Sequence, residues 1–287
     1  MWIGRGQREI TTYLLADRTL PWWAILGSFV ATETSTATFL SVPGLAFAER
    51  LPGAKYVDPA VGGDMRFLQL ALGLLVGRCF IVYFLLPLFF GGKLFTAYQV
   101  LHERFGGATK NVASIVFLIA RNIGDGLRLF LTAIVLEVVT GIYLPWCVVI
   151  VGVLTIGYTF FGGIKSVVWN DCVQFVVYVG GGVLALLIIL NRLPGGWEQF
   201  VATSETLSKF RVFDGSFDLS ISYTFWAGLV GGTFLSLGTH GTDQMMVQRY
   251  LCARGQRQAA QAIVCSGFVV LLQFALFLSL GAALACY

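Results

Sequence analysis

The residues best suited to chemistry lie in a short polar stretch inside the first long apolar run. Leu20 to Val30 is apolar, residues 31–38 read Ala-Thr-Glu-Thr-Ser-Thr-Ala-Thr, and the apolar sequence resumes at Phe39. Hydroxyl side chains bond to nearby backbone and disturb the helical hydrogen-bond series, and Pro43 weakens the next part of the helix. Carbonyl oxygens released at a break can coordinate Na⁺. The stretch predicts a broken membrane helix with a cation site; the alternative is a continuous helix in which the hydroxyls bond to their own backbone.

Glu33 is the most informative single residue of this stretch. An unpaired carboxylate at the bilayer centre costs at least about 2.5–3.5 kcal/mol, so Glu33 must be protonated, paired or hydrated. Candidate partners are Arg78 in the second apolar run and a set in the third run, Arg121, Asp125 and Arg128. Because these three lie four and three residues apart on one helix face, we expect them to pair mainly with one another.

Two further places combine polar residues with glycine. Asp171 follows a predicted turn at Gly162 and Gly163, and either faces a vestibule that attracts cations or complements the dipole at a helix N-terminus. The sixth apolar run is rich in glycine and ends around Thr239-His240. These glycines indicate either a second broken helix or close packing between helices.

The composition requires a membrane to position these residues. Of the 287 residues, 57% are hydrophobic and 12% are charged, and the apolar residues form runs of about 20, the length of a membrane-spanning helix. We predict a polytopic α-helical membrane protein with a single transmembrane domain over residues 1–287. The predicted spans are about 21–47, 66–91, 111–141, 144–163, 166–191, 222–249 and 258–286.

The flanks of these spans predict orientation. Lys and Arg are more frequent on the side that holds the N-terminus, which is therefore expected in the cytoplasm. Segment 48–65 is read as an extracellular connection, and the linker 192–221 is expected to hold a short surface helix. The chain stops within an apolar run, which suggests a fragment.

Several function classes are disfavoured. The formal charge of +4 is small and accompanies no nucleic-acid motif, so nucleic acid is not an expected partner. The six cysteines form no CxxC pair and no cluster with the two histidines, so no metal other than sodium is predicted. No Ser/His/Asp set, GxGD pair or HExxH motif is present, so the protein is not expected to be an enzyme.

Three stretches resemble the sodium:solute symporter family, which includes glucose, monocarboxylate, multivitamin, proline and sialic acid cotransporters. They are residues 15–35, residues 158–174 with their Gly-Gly-Ile-Lys-Ser-Val-Val-Trp-x-Asp core, and residues 242–251. The resemblance covers nearly the whole chain. It implies an all-α, LeuT-type five-plus-five inverted-repeat fold working by alternating access, here with the first repeat and the start of the second.

The resemblance also implies roles for particular residues. Sodium ion is the implied cofactor, with backbone carbonyls of Ala31 and Thr34 at the sodium site and Asp171 governing sodium release. The residues implied to face solute are Glu33, Ser35, Thr38, Thr239 and His240. The implied cytoplasmic motif consists of Asp243, Gln244 and Arg249. The family's Ser/Thr sodium ligands belong to a later core helix that this chain lacks.

The hypothesis that follows is a sodium-coupled symporter of a small organic solute in the plasma (inner) membrane, acting as a monomer or weak homo-oligomer. Thr239-His240 stands where sugar transporters of the family carry aromatic stacking groups, which favours a monocarboxylate-like or vitamin-like anion over a sugar. The main alternative is a membrane sensor, in which the same fold is the input domain of a signalling protein. Composition alone does not exclude a channel.

Overall fold

The structure is a computed structural model that describes residues 10–47, 63–91, 98–218, 221 and 223–287. Within these ranges the regular elements are helices, and an isolated bridge joins Leu20 to Ala253. The helices are α1 (Ile10–Leu15), α2 (Trp22–Glu33), α3 (Thr36–Phe47), α4 (Leu68–Phe80), α5 (Leu86–Phe90), α6 (Tyr98–Thr140), α7 (Leu144–Arg192), α8 (Gly196–Thr206), α9 (Phe225–Ser236), α10 (Gln244–Leu251) and α11 (Gln256–Cys286).

Two π-helical segments connect neighbouring helices. Ile81–Leu85 lies between α4 and α5, and Leu237–Thr242 lies directly after α9. Two of the long helices are also interrupted: α6 is non-helical at Gly106, and α7 is non-helical at Gly163 with φ 55° and ψ −167°. The predicted turn between the fourth and fifth spans therefore falls at Gly163, whose positive φ suits glycine.

The chain divides into two compact units. The first contains the described residues within 1–37, 81–173 and 239–263, and the second contains the described residues within 38–80, 174–238 and 264–287. Both units draw on early, middle and late parts of the sequence, so each is assembled by long-range contacts.

The first unit has an aromatic core between α2, α5 and α10. Phe29 and Tyr250 are fully buried, and their ring centroids lie 6.4 Å apart. Phe89 lies 5.8 Å from the same tyrosine ring. A backbone hydrogen bond joins the segment before α2 to the residue after α10, because the amide of Leu20 donates to the carbonyl of Cys252 at 3.2 Å.

The second unit is built on close contact between α4 and α9. A Cβ added to Gly73 would clash with the carbonyl oxygen of Gly228, and one added to Gly232 would lie 2.9 Å from Cα of Gly73. Thr233 donates its hydroxyl to the Gly73 carbonyl at 3.2 Å. Close packing is therefore the reason for glycine at positions 228 and 232, which are two of the glycines noted in the sixth run.

Polar contacts fix the linker of the second unit. Arg66 pairs with Asp64 at 2.8 Å and with Asp214 at 3.2 Å, while Lys209 donates to the Ala46 carbonyl near the end of α3 at 2.9 Å. The short helix predicted in residues 192–221 is confirmed as α8. The predicted connection 48–65 lies outside the described residues except for positions 63–65.

Three described helical stretches are long and apolar enough to cross a membrane: Leu68–Phe90, Gly162–Arg192 and Gln256–Cys286. A fourth is obtained if Tyr98–Thr140 and Leu144–Gly157, which are bent by 118°, count as one span. The first and sixth predicted spans do not meet this length criterion because each is divided into shorter helices. The count of seven spans stays a prediction.

Candidate functional site

The first predicted span is broken at the polar stretch, as the sequence predicts. Helix α2 ends at Glu33, α3 begins at Thr36, and Thr34 between them has φ −87° and ψ 90°. The amide of Thr34 donates to the Val30 carbonyl at 2.9 Å, but the amide of Ser35 turns to the Glu33 carbonyl at 3.2 Å. The continuous-helix alternative is therefore wrong.

This break changes the backbone around the predicted sodium ligands. In an unbroken helix the Ser35 amide would bond to the Ala31 carbonyl, so its turn towards Glu33 releases that oxygen from the helical series. Ala31 and Thr34 are both buried. A buried carbonyl at a helix C-terminus carries partial negative charge, which suits a cation. The residues present therefore fit a Na⁺ site, and their binding of Na⁺ stays a prediction.

The sixth predicted span is interrupted at the matching polar residues. After α9 the chain is π-helical through Leu237–Thr242, Asp243 is extended with φ −69° and ψ 117°, and α10 follows. π-helical turns inside α-helices are frequent at functional sites. The prediction of a second broken helix is confirmed, and it holds together with the close packing at Gly228 and Gly232.

The two breaks contact each other through a carboxylate and an imidazole. Nε2 of His240 lies 3.2 Å from Oε1 of Glu33, and Nδ1 lies 3.1 Å from the Thr239 hydroxyl. His240 is fully buried, and the edge of the Phe29 ring faces it with centroids 5.5 Å apart. The structure thus brings together Glu33, Thr239 and His240, and it supplies the partner that a carboxylate needs at membrane depth.

A second polar cluster lies between α2, α7 and α10. Nη2 of Arg249 is 3.2 Å from Oδ2 of Asp171, and both side chains are buried. The Ser28 hydroxyl donates to the same carboxylate oxygen and accepts from Nε of Arg249 at 2.8 Å. The Thr32 hydroxyl is 3.5 Å from Asp171. Asp171 therefore forms an ion pair with one cation and accepts hydrogen bonds from two hydroxyl groups.

The position of Asp171 in its helix bears against one of its two interpretations. The residue lies eight positions after the interruption at Gly163, which is beyond the first turn where a helix dipole acts strongly. The helix-terminus interpretation is therefore disfavoured. Asp171 is a buried, ion-paired carboxylate inside the first unit.

Asp243 and Arg121 form a third pair. One oxygen of Asp243 accepts from the Met245 amide at 2.8 Å and caps α10, and the other lies 3.0 Å from Nη1 of Arg121. Arg121 also contacts Asp125 at 2.9 Å, and Arg128 lies 3.6 Å from the same aspartate. The expected pairing within α6 is therefore present, and Arg121 extends it to α10.

The remaining predicted residues are placed as follows. Ser35 lies in the break of the first span beside Glu33, and Gln244 is the first residue of α10, five positions before Arg249. Thr38 belongs to the second unit and lies on α3. The solute and motif roles of these residues stay predictions.

A cavity of about 180 Å³ lies beside the Asp171 cluster within the first unit. Arg249 and Gln248 of α10 line one wall, and Gly163 and Val167 of α7 line another. Tyr13 and Leu14 of α1 also line the cavity, and the Gln248 side chain donates a hydrogen bond to the Leu14 carbonyl at 2.8 Å. The cavity gives the buried Arg249 side chain a neighbouring space large enough for several water molecules.

Sequence reasoning missed two contributors to these clusters. Ser28 and Thr32 are four residues apart and therefore share the face of α2 that meets Asp171. Ser28 lies in the apolar part of this run and Thr32 in the polar stretch, and their four-residue spacing is a signal that was present in the sequence. The pairing of Arg121 with Asp243 gave no such signal, because 122 positions separate the two residues.

Comparison with solved structures identifies the fold. A substrate-bound, outward-open Na⁺-coupled sialic acid symporter matches with a TM-score of 0.85 at 24% sequence identity, over 100% of this chain and 57% of that chain. A helix break in the first span, a second break in the sixth span and long apolar helices are features of a LeuT-type membrane transporter fold. The protein is an all-α integral membrane protein of this class.

Comparison with sequence families places the chain more narrowly. The model of the sodium:solute symporter family matches residues 13–287, and the chain belongs to this family. The human sodium/iodide cotransporter is 28% identical over 100% of this chain and 42% of its own length. Sodium-coupled monocarboxylate transporter 2 of Danio rerio is 34% identical over 66% of this chain and 31% of its own length. The chain thus spans less than half the length of these two relatives, which are transporters.

Proposed function

We propose that this protein is a sodium-coupled symporter that moves a small organic solute across the plasma (inner) membrane by alternating access, with its N-terminus in the cytoplasm. The contact between the two helix breaks through Glu33 and His240 is the observation that carries the proposal. Irregular backbone at membrane depth is tolerated where it is buried in protein or lines a cavity, and paired broken helices are the usual binding element of such transporters.

Sodium in this proposal is a transported ion. The carbonyls of Ala31 and Thr34 bind it at the end of α2, where the helical hydrogen-bond series stops. Asp171 attracts the ion on its release path, and the neighbouring cavity lined by Arg249 gives that path room. The hydroxyls of Ser28 and Thr32 contact Asp171 from the same helix that ends at the break. They therefore offer further oxygen ligands to Na⁺ between the break and Asp171.

Coupling follows from the position of the break. Na⁺ bound at the break stabilises one geometry of residues 33–35, and that geometry also places Glu33 and Ser35 for solute. If Na⁺ favours the solute-binding state, the solute must favour Na⁺ binding by the same free energy. The same linkage makes downhill Na⁺ movement drive solute uptake.

For the solute, we propose a monocarboxylate-like or vitamin-like anion rather than a sugar. Glu33 contacts the neighbouring imidazole, and the hydroxyls of Ser35 and Thr239 can donate hydrogen bonds to a carboxylate. Na⁺ supplies the compensating positive charge. The named relatives carry iodide, monocarboxylates and sialic acid, so the family accepts several anions.

The test is uptake by the intact gene product in proteoliposomes, with and without an inward Na⁺ gradient. The panel contains lactate, nicotinate, biotin, glucose, proline and sialic acid. Na⁺-gradient-dependent accumulation of an anion would support both the symporter and the solute class, while accumulation of glucose alone would overturn the class. Saturable Na⁺-linked binding without accumulation would contradict transport and favour the sensor.

A further inference from the structure

Helix α10 depends on its neighbours for its position. It contains 8 residues and follows directly after the break in the sixth span. Isolated helices of this length are not stable in water, because few hydrogen bonds repay the cost of nucleation. Contacts from other parts of the chain must therefore fix where α10 begins and how it is oriented.

The second half of α10 is held by the Asp171 cluster. Arg249 contacts Asp171 of α7 and Ser28 of α2, and its Nη1 donates to the Met245 carbonyl of α10 itself at 2.9 Å. This end of the helix is therefore attached to the residue proposed to govern sodium release.

Asp243, the residue directly before α10, is fixed by a contact with Arg121 of α6. Asp243 uses one carboxylate oxygen to cap the helix and the other to contact Arg121. The same side chain thus ends the π-helical segment that carries Thr239 and His240 and begins α10. A cation that fixes Asp243 fixes the junction between the two.

The contacts of Arg121 indicate that it fixes Asp243 rather than only balancing the charge of Asp125 on its own helix. Asp125 already has Arg128 as a second cation on α6, so Arg121 is not required to balance its charge. The Arg121 side chain is 17% exposed and Asp125 is 48% exposed, so the arginine is directed into the unit. Its contact with Asp243 crosses between α6 and α10.

We propose that Arg121 is a positioning residue that acts through Asp243. By holding the start of α10, it keeps His240 in contact with Glu33, while the Arg249–Asp171 pair holds the other end of the same helix. Helix α10 thereby links the solute end and the sodium end of the first unit. The coupling role rests on the proposed symporter function, whereas the positioning role can be measured without transport.

The experiment combines hydrogen exchange with uptake on the intact gene product in lipid nanodiscs and proteoliposomes. Arg121→Met removes the charge at similar length, and Arg121→Lys retains it. Asp243→Asn is the sharper partner variant, because asparagine caps a helix as well as aspartate does but offers no negative charge to Arg121. Arg128→Met is the matched control on the same helix, since Arg128 contacts Asp125 only among the pairs described here.

We expect Arg121→Met and Asp243→Asn to raise the amide exchange rate in residues 237–251 about tenfold, because the free energy of local opening falls. The exchange rate in α4 of the second unit should stay unchanged. Arg121→Lys should restore most of the protection, and Arg128→Met should stay close to the wild type. Exchange that is unchanged in both Arg121→Met and Asp243→Asn, or that rises equally in α4, would overturn the proposal. If Arg121→Met does not fold, Asp243→Asn and Arg121→Lys decide the same question.

Uptake separates positioning from general loss of structure. With the same panel of compounds, Arg121→Met should lower the maximal Na⁺-driven rate about tenfold and change the half-saturating Na⁺ concentration less than about threefold, since an interaction that orients without binding acts mainly on turnover. A parallel loss of Na⁺ affinity would contradict the inference. A wild-type protein that accumulates none of the compounds would refute the proposed function, and the exchange result would still decide whether Arg121 positions α10.

Discussion

Three acidic side chains in the first unit each contact a basic side chain from a distant part of the chain. Glu33 contacts His240, Asp171 contacts Arg249, and Asp243 contacts Arg121. A carboxylate in an apolar environment is costly unless it is paired, so these contacts are required by the surroundings as much as by function. They also place ionisable groups at both helix breaks.

The Asp171–Arg249 pair should be essential for stability. Replacing Asp171 by asparagine leaves the buried Arg249 guanidinium without a counter-charge, which costs about 3–5 kcal/mol when a buried pair loses one partner. We expect Asp171→Asn to lower the thermal unfolding temperature in detergent strongly. The double variant Asp171→Asn/Arg249→Met should recover part of the loss.

Asp125→Asn provides the comparison for this variant. Asp125 is half-exposed and its pairs lie on one helix face, so its loss should cost no more than about 1 kcal/mol. Equal destabilisation by Asp171→Asn and Asp125→Asn would show that burial of the Asp171 pair contributes nothing special.

The second unit offers a pH-dependent residue outside the predicted spans. Hydrogen bonds from the hydroxyl and amide of Ser216 lower the pKa of Asp214, with further lowering by Arg211 and Arg66 and an opposing effect of burial. Because the folded pKa lies below the unfolded value of about 3.9, ionised Asp214 stabilises the fold above that pH. This contribution is lost as the pH falls through the folded pKa.

The measurement is thermal unfolding of the wild type and Asp214→Asn between neutral and acidic pH. The wild type should be the more stable protein at pH 7, and the difference should shrink below about pH 4 as the carboxylate takes up a proton. A difference that stays constant across this range would show that the charge of Asp214 does not matter.

At the scale of helices, breaks and close contacts have different sequence signals. Hydroxyl residues grouped with a carboxylate predicted the break after Glu33, and paired glycines predicted the turn at Gly163. Glycine alone was ambiguous in the sixth run, because Gly228 and Gly232 serve close packing while the residues around His240 form the break. These two roles differ in whether another helix packs against the glycines, and a single sequence does not show which helices are in contact.

The contact between α4 and α9 can be tested with a pair of glycine substitutions. A methyl group at Gly73 would meet the backbone of Gly228, so Gly73→Ala must push the helices apart, and overpacking of this kind costs about 1–3 kcal/mol. Gly231 lies on α9 with nothing within 4 Å of an added Cβ. Gly231→Ala should be neutral or stabilising by up to about 1 kcal/mol, because alanine favours helix.

Thermal unfolding in detergent compares the two variants directly. Gly73→Ala should unfold at a lower temperature than the wild type, and Gly231→Ala at the same or a higher temperature. Similar unfolding temperatures for the two variants would contradict the close approach of α4 and α9.

For the whole molecule, composition was sufficient to predict a polytopic helical membrane protein, and three motifs were sufficient to predict its family. The partners of Glu33, Asp171 and Asp243 were not predicted, because each lies far along the chain and only the tertiary fold brings it near. Arg249 illustrates the limit: in sequence it belongs to the motif after the sixth span, and in the structure it is the buried counter-charge of Asp171. Residue types reveal where chemistry is present, whereas pairing depends on the fold.

The central claim is that the break after α2 binds the Na⁺ that drives transport. The most direct test is Na⁺ dependence of solute uptake and of solute binding in Ala31→Leu, in the intact gene product with its unfolding temperature as control. A bulky side chain at this buried position should raise the half-saturating Na⁺ concentration about tenfold, equivalent to about 1.4 kcal/mol, and leave Na⁺-independent solute binding nearly unchanged. Equal loss of both, or unchanged Na⁺ dependence in a folded variant, would contradict a sodium site at the break.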